Sequence, residues 1–264
     1  MPEFRLSDHD LRFIAETIWG EQGGTVAALD RLRARDDLLE VTLEDDRLVH
    51  RLLGEEHALV RVSPRLVFSV FLRRVSRDLN ERPYTLERTS QETVAVFDAP
   101  RVRRFIAEPA IGNYLVGMLT AFVRTETVTL WVRRGERYRR RRFSTLALED
   151  MIELAGLVGD EEAPPIYRRI ADIALFTSGI FSDFLRDRRG GPPPRRSRAI
   201  PHTMETYEEH GRRFYRLASR QQSGADARVL TLLAEEFPTA RKLLLMLSDR
   251  YLRWTRLSWF HTPG

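Results

Sequence analysis

The sequence predicts a mainly α-helical protein, a helical bundle carrying two small β-hairpins. Three observations predict it. Apolar residues recur at three- and four-residue spacing along most of the chain, the mark of helix faces buried on one side. A capping residue with proline just after it marks where a helix starts, most clearly at Ser63-Pro64 and again at Asp98 with Pro100. Only two stretches, 84–97 and 127–143, read instead as pairs of short strands about a turn.

In the first 62 residues the pattern is short helices broken by turns. Ser7 or Asp8 caps a helix carrying Leu11, Ile14, Ala15 and Ile18, stopped at Gly20. Val26, Leu29 and Leu32 mark a second at 25–35. Leu48, Leu52 and Leu53 mark a third at 44–53, stopped at Gly54. Ser63-Pro64 then opens a long helix to about Leu79. Its stripe of Phe68, Phe71, Leu72, Val75 and Leu79 is widened by Leu66, Val67 and Val70, so it belongs at the centre of a core.

The first hairpin pairs 84–88 with 93–97 around Thr-Ser-Gln-Glu, and Asp98 and Pro100 open the helix after it. A further helix at 109–123 leads into Thr-Val-Thr-Leu-Trp-Val at 127–132, the turn Arg-Arg-Gly-Glu, and a second strand at 137–143 holding four consecutive arginines. A helix followed by a basic hairpin is the outline of a winged helix.

Everything after residue 143 reads as helix except one segment. Ser144 or Thr145 caps a helix to about Val158. Pro164 and Pro165 begin another, with Ile166, Ile170, Ile173, Ile180 and Phe184 at helical spacing and a bend expected at Thr177-Ser178-Gly179. The arginine-, glycine- and proline-rich run at about 187–200 has no side chains for a core and is expected to be a mobile basic linker. Three closing helices carry Met204, Tyr207, Gly211, Phe214 and Ala218; then Val229, Leu232 and Leu233; then Ala240, Leu243, Leu244, Leu247, Tyr251 and Trp254. A length of 264 residues fits one large or two ordinary domains. Two are expected: 1–143, ending in the wing-like basic hairpin, and 144–264, all helical but for the linker.

Composition narrows the chemistry. With 42% hydrophobic and 31% charged residues, and no apolar run long enough to cross a bilayer, a membrane span is not expected. The first ten residues hold three acids and no apolar stretch, so neither a secretory nor a mitochondrial leader is expected, and the location expected is cytoplasmic. With no cysteine there is no disulfide, thiolate metal site or cysteine nucleophile. All but one of the 43 basic residues are arginine, and the single lysine, Lys242, sits in Ala-Arg-Lys-Leu-Leu, so no P-loop lysine is present.

Charge is segregated. Residues 133–143 hold seven arginines against Glu136, and residues 186–198 hold six against Asp187, whereas the first 62 residues hold 14 acids against eight arginines. A partner drawn by charge meets the two basic segments first. The candidate nucleic-acid-binding residues are therefore Arg133, Arg134, Arg137, Tyr138, Arg139, Arg140, Arg141 and Arg142 in the hairpin, and Arg195, Arg196 and Arg198 in the linker. Arginine suits phosphate oxygens and the acceptor edge of guanine, and Tyr138 and Trp131 add stacking surfaces. On a strand, Arg137, Arg139 and Arg141 point one way while Arg140 and Arg142 point the other, so at least one set reaches solvent or an acidic partner. The competing reading pairs these arginines within the protein, with Glu149, Asp150, Glu153 or the acids at 160–162.

Elsewhere the signals are weak. Trp259 and Phe260 lie beyond the last helical stripe and are candidates for docking a partner or a second copy of the chain. His50 and His57 are separated by the helix-ending Gly54, and His202 and His210 have only Glu208 or Glu209 near them, so neither pair reads as a metal site. His9 stands between Asp8 and Asp10 at a helix start, where acids favour the dipole. There is no nucleophile elbow, dinucleotide glycine pattern or zinc-protease helix, and no cofactor is implied.

The run Val-Ser-Pro-Arg-Leu-Val-Phe-Ser-Val-Phe-Leu-Arg-Arg at 62–74, with Val-Phe-Asp at 96–98, Tyr-Arg-Arg-Ile-Ala-Asp at 167–172, Tyr-Glu-Glu at 207–209 and Gly-Arg-Arg-Phe-Tyr at 211–215, resembles a group of helix-rich prokaryotic proteins with no assigned function. The resemblance implies that the two halves belong together and carries no site residue. The expected function is thus non-enzymatic binding of nucleic acid, or regulation through it, with the arginine-rich hairpin on phosphates. The alternatives are a helical adaptor binding a protein through its C-terminal helices and tail, and an enzyme or small-ligand sensor with an interhelical site.

Overall fold

The computed structural model describes residues 5–55, 58–81, 85–88, 93–96, 98–124, 127–134, 137–182, 203–252 and 260. These are mainly α-helical, with two separate two-stranded sheets. The chain divides into two compact units, Met1–Leu86 with Ala95–Ala121, and Glu87–Val94 with Phe122–Gly264. The line falls at Ala121/Phe122, where composition placed it after Phe143, so the basic hairpin is grouped with the helices that follow it. The first hairpin pairs β1 (Thr85–Arg88) with β2 (Thr93–Val96); its turn, Tyr84 and Phe97 lie outside the described residues.

In the first unit, α1 (Asp8–Trp19) starts at a capping box. Ser7 accepts from the Asp10 amide at 3.2 Å, and the Asp10 carboxylate accepts from the Ser7 amide at 3.1 Å. Gly20 ends the helix with φ +64°, a left-handed conformation that only glycine adopts cheaply. Next, α2 (Val26–Ala34) buries Leu29 and Leu32, but Val26 is 72% exposed, because it sits in the first turn beyond the packed stripe.

Two helices escape the sequence pattern. α3 (Asp36–Leu43) buries only Thr42 and Leu43 and leaves Val41 exposed, so its stripe is too thin to read. α5 (Ala58–Arg61) is a single turn. Between them, α4 (Asp46–Gly54) buries Leu48, Val49 and Leu52 while Leu53 faces solvent.

The long helix α6 (Pro64–Glu81) is the core of this unit, as its broad stripe predicts. Phe68, Phe71 and Val75 are fully buried, each contributing about 1.5–3 kcal/mol relative to exposure. Its start is capped by Ser63, which accepts from the Leu66 amide at 3.2 Å. α7 (Ala99–Ile106) and α8 (Pro109–Phe122) meet at an 85° bend. No single helix among the described residues is long and apolar enough to cross a membrane; by length and composition only this bent pair passes together.

The second unit begins with β3 (Thr127–Arg134) and β4 (Arg137–Ser144), an antiparallel pair, followed by α9 (Leu148–Ala155). Neither Ser144 nor Thr145 caps α9. Ala147 occupies the cap with no side-chain bond, the Ser144 hydroxyl accepts from the Leu146 amide at 3.2 Å, and Asp150 reaches back to the Ser144 amide at 2.8 Å. The central element is α10 (Ala163–Ile180). It runs as one helix through Thr177-Ser178-Gly179, and Gly179 lies against Leu244, where a Cβ would come within 2.6 Å of Leu244 Cβ.

Around α10 pack α9, α11 (Met204–Arg220) and α13 (Phe237–Leu247), with α12 (Gly224–Glu235) against α11. The Tyr215 hydroxyl donates to the buried Asp172 carboxylate at 2.8 Å, tying α11 to α10. α13 ends in a π-type turn, Ser248–Leu252, whose Ser248 hydroxyl donates at 2.9 Å to the Ile180 carbonyl left open at the end of α10. Phe184, Trp254 and the basic linker lie outside the described residues.

Candidate functional site

The basic hairpin has two unlike faces. Its register runs from Thr127↔Ser144 through Val128↔Phe143, Thr129↔Arg142, Leu130↔Arg141 and Trp131↔Arg140 to Arg134↔Arg137 at the turn. Directly opposed residues share a face, so alternate pairs face opposite sides.

One face is packed. Phe143 is fully buried, Val128 and Leu130 are half-buried, and α9 packs on β4. Arg141 belongs to this face. It pairs with Glu153 of α9, and its guanidinium carbon lies 5.1 Å from the Phe143 ring centre. Asp150, holding the Ser144 amide, fixes where β4 turns into α9. The internal-pairing reading is thus realised for Arg141. Asp160, Glu161 and Glu162 take no arginine among the described side chains.

The opposite face is open. Thr127, Thr129, Trp131, Arg140 and Arg142 are all exposed, Trp131 at 69%. Trp131 stands directly across from Arg140, and Arg142 across from Thr129. Neither Arg140 nor Arg142 has an ion-pair partner among the described residues. The strand pattern contains the signal that separates the faces: Thr127, Thr129 and Trp131 alternate with Val128, Leu130 and Val132. An aromatic in step with the threonines belongs to the wet side.

The remaining candidates are dispersed. Arg133, Arg134, Arg137, Tyr138 and Arg139 lie on the two strands, with Arg133 opposite Tyr138 and Val132 opposite Arg139. Arg195, Arg196, Arg198 and Trp259 lie outside the described residues. Phe260 does not present itself to a partner. It is 1% exposed and packs edge-on against Phe176 at 4.9 Å and Phe181 at 6.3 Å between ring centres. Burying a large ring inside the chain's own core satisfies it there, which takes Phe260 out of the aromatic patch that the adaptor reading expects around Trp259 and Phe260.

The first unit holds a cleft of about 600 Å³ between α3, α6 and the α7–α8 corner. Its arginines are already engaged: Arg73 grips Glu40 at 2.5 Å, and Arg77 meets Asp46 at 3.0 Å. The other polar groups lining it include Glu44, Ser76, Asn80 and Asn113. Among the described residues no group of three or more histidine, aspartate or glutamate side chains could hold a metal ion.

Fold and site together define a mainly helical protein bearing a β-ribbon with one packed face and one open, basic, aromatic face. Comparison of the chain with protein-family models, with curated proteins and with solved structures found no match.

Proposed function

We propose that this protein is a non-enzymatic nucleic-acid-binding protein, regulatory in role, whose arginine hairpin contacts phosphates as a wing-like ribbon. The observation that carries the reading is the open face: Arg140 and Arg142 stand exposed and unpaired among the described residues beside an exposed Trp131. Two guanidinium groups without an ion-pair partner among the described residues, held in register on one face of a ribbon, favour an anionic partner, and a polyanion above all. Arg133, Arg134, Arg137 and Arg139 are carried on the same strands, and the sequence supplies a second basic segment with Arg195, Arg196 and Arg198.

Fluorescence anisotropy with labelled oligonucleotides over a salt series tests this. The double variant Arg140→Glu/Arg142→Glu is expected to weaken binding and to flatten the salt dependence by roughly 0.7 to 0.9 in log–log slope for each lost phosphate contact. Arg141→Glu, whose guanidinium is engaged by Glu153, should act less on binding than either outer-face change. Absence of binding at low salt, or equal behaviour of the double variant and the parent protein, would falsify the proposal.

A further inference from the structure

We infer that the open face of the hairpin binds a single-stranded polynucleotide, with an unpaired base stacked on Trp131 and the flanking phosphates on Arg140 and Arg142. This rests on the phosphate-binding reading above and adds to it which form of nucleic acid the ribbon takes.

The argument begins with Trp131. A tryptophan on a strand ordinarily buries its ring, and this protein has an apolar side of the same hairpin to bury it on, the side where Phe143 is buried in the strand that α9 packs against. The register instead puts Trp131 on the other face, 69% exposed, with no ring or cation stacked on it among the described residues. The aromatic surface is therefore presented without a partner among the described residues.

Its neighbours define the occupant. Arg140 is directly across the ladder, and Arg142 is two residues further along the same strand on the same face, with the small Thr129 opposite it. Same-face residues on a strand stand about 6 to 7 Å apart, the scale of one nucleotide step along an extended polynucleotide backbone. The two arginines thus stand one nucleotide step apart on a face that also carries a flat π surface directly across from one of them. An apolar protein partner would find one ring ringed by charge. A duplex would offer phosphates to the arginines but no base face to the ring, because its base faces are covered by stacking. Only an unpaired strand satisfies both parts of the surface. With the ring stacking on a base and the guanidinium groups on phosphates, no base edge is read in this arrangement, so little sequence preference is expected.

The test compares oligo-dT, oligo-U and a duplex of equal length, with the parent protein, Trp131→Ala, Trp131→Phe and Arg140→Glu/Arg142→Glu. The two single strands distinguish DNA from RNA as the natural source. The expected result is tighter binding of one or both single strands than of duplex. Trp131→Ala should lose about tenfold on the single strand and nothing on the duplex, while Trp131→Phe keeps most of the affinity. Binding should also quench tryptophan fluorescence in the parent and not in Trp131→Phe. Trp131 is exposed, so circular dichroism should show both variants folded. Equal affinity for duplex and single strand with a silent Trp131→Ala overturns this inference and leaves the phosphate reading standing. Failure to bind any of the three, or indifference to the arginine double variant, overturns both.

Discussion

The carboxylate of Asp10 holds Ser63 from across 53 residues of chain, accepting its amide at 2.8 Å and its hydroxyl at 2.7 Å. The same carboxylate accepts the amide and hydroxyl of Ser7. One buried side chain, 1% exposed, thereby closes the start of α1 and anchors the residue that caps α6. The acidic cluster at the N-terminus contains an architectural group where a sequence shows only helix-start acids.

Asp10→Ala is expected to destabilise the protein by about 2–4 kcal/mol, since it removes the one acceptor shared by the amides and hydroxyls of Ser7 and Ser63. Ser7→Ala, which removes one cap, should cost about 1 kcal/mol. Urea unfolding followed by circular dichroism measures both. An Asp10→Ala effect no larger than that of Ser7→Ala would show that the link to Ser63 contributes nothing.

Acid should weaken α4 through its cap. The Arg47 guanidinium, hydrogen-bonded to Asp45, holds the Asp45 carboxyl below its ordinary value of 3.8, assisted by the Arg47 amide. The folded state therefore keeps this group charged where the unfolded chain would protonate it. Its stabilisation is complete above the ordinary value and is lost as pH falls through the lowered one. Asp45→Asn keeps a capping side chain and removes the titration, so the stability difference between parent and variant should shrink between about pH 5 and about pH 2. A difference that stays constant over that range would contradict the assignment.

Among the described glycines of the second unit, Gly211 permits the closest approach. A Cβ there would lie 2.0 Å from Cε2 of Phe237, whose ring is fully buried. Gly211→Ala should cost about 1–3 kcal/mol by overpacking, with a lower melting temperature. The double variant Gly211→Ala/Phe237→Leu should recover part of the loss. If the second change added a further independent loss, the contact would not be the cause.

Phe260 completes an aromatic cluster with Phe122, Phe176 and Phe181, in which Phe122 and Phe176 stack at 4.0 Å and Arg169 caps Phe122 at 3.9 Å. Phe260→Ala should cost about 3–5 kcal/mol by leaving a cavity, whereas Phe260→Leu should cost much less. A partner-docking residue would behave oppositely, with stability unchanged and an interaction lost. Thermal unfolding of the two variants separates the cases.

The sequence by itself determined the helical class, the long core helix from Ser63-Pro64, the two hairpins and the concentration of arginine on one of them. These are local properties: a helix face repeats at 3.6 residues and a strand at two, and a cap needs only its neighbours in sequence. It could not show α3, whose short amphipathic pattern is thin and whose Glu40 finds its partner only in Arg73, 33 residues away. It could not show that Phe260 is a core residue, since nothing adjacent to it says which rings it meets. Nor could the arginine run reveal which of its faces is open, because both alternate positions of 139–142 carry the same side chain. The alternation on β3 marks its own wet side, with the threonines and Trp131, but only the pairing register carries that assignment across to Arg140 and Arg142. The packing of α9 on β4 and the arrival of Glu153 at Arg141 then close the other side, because a strand's period shows two faces and tertiary packing decides which of them is covered.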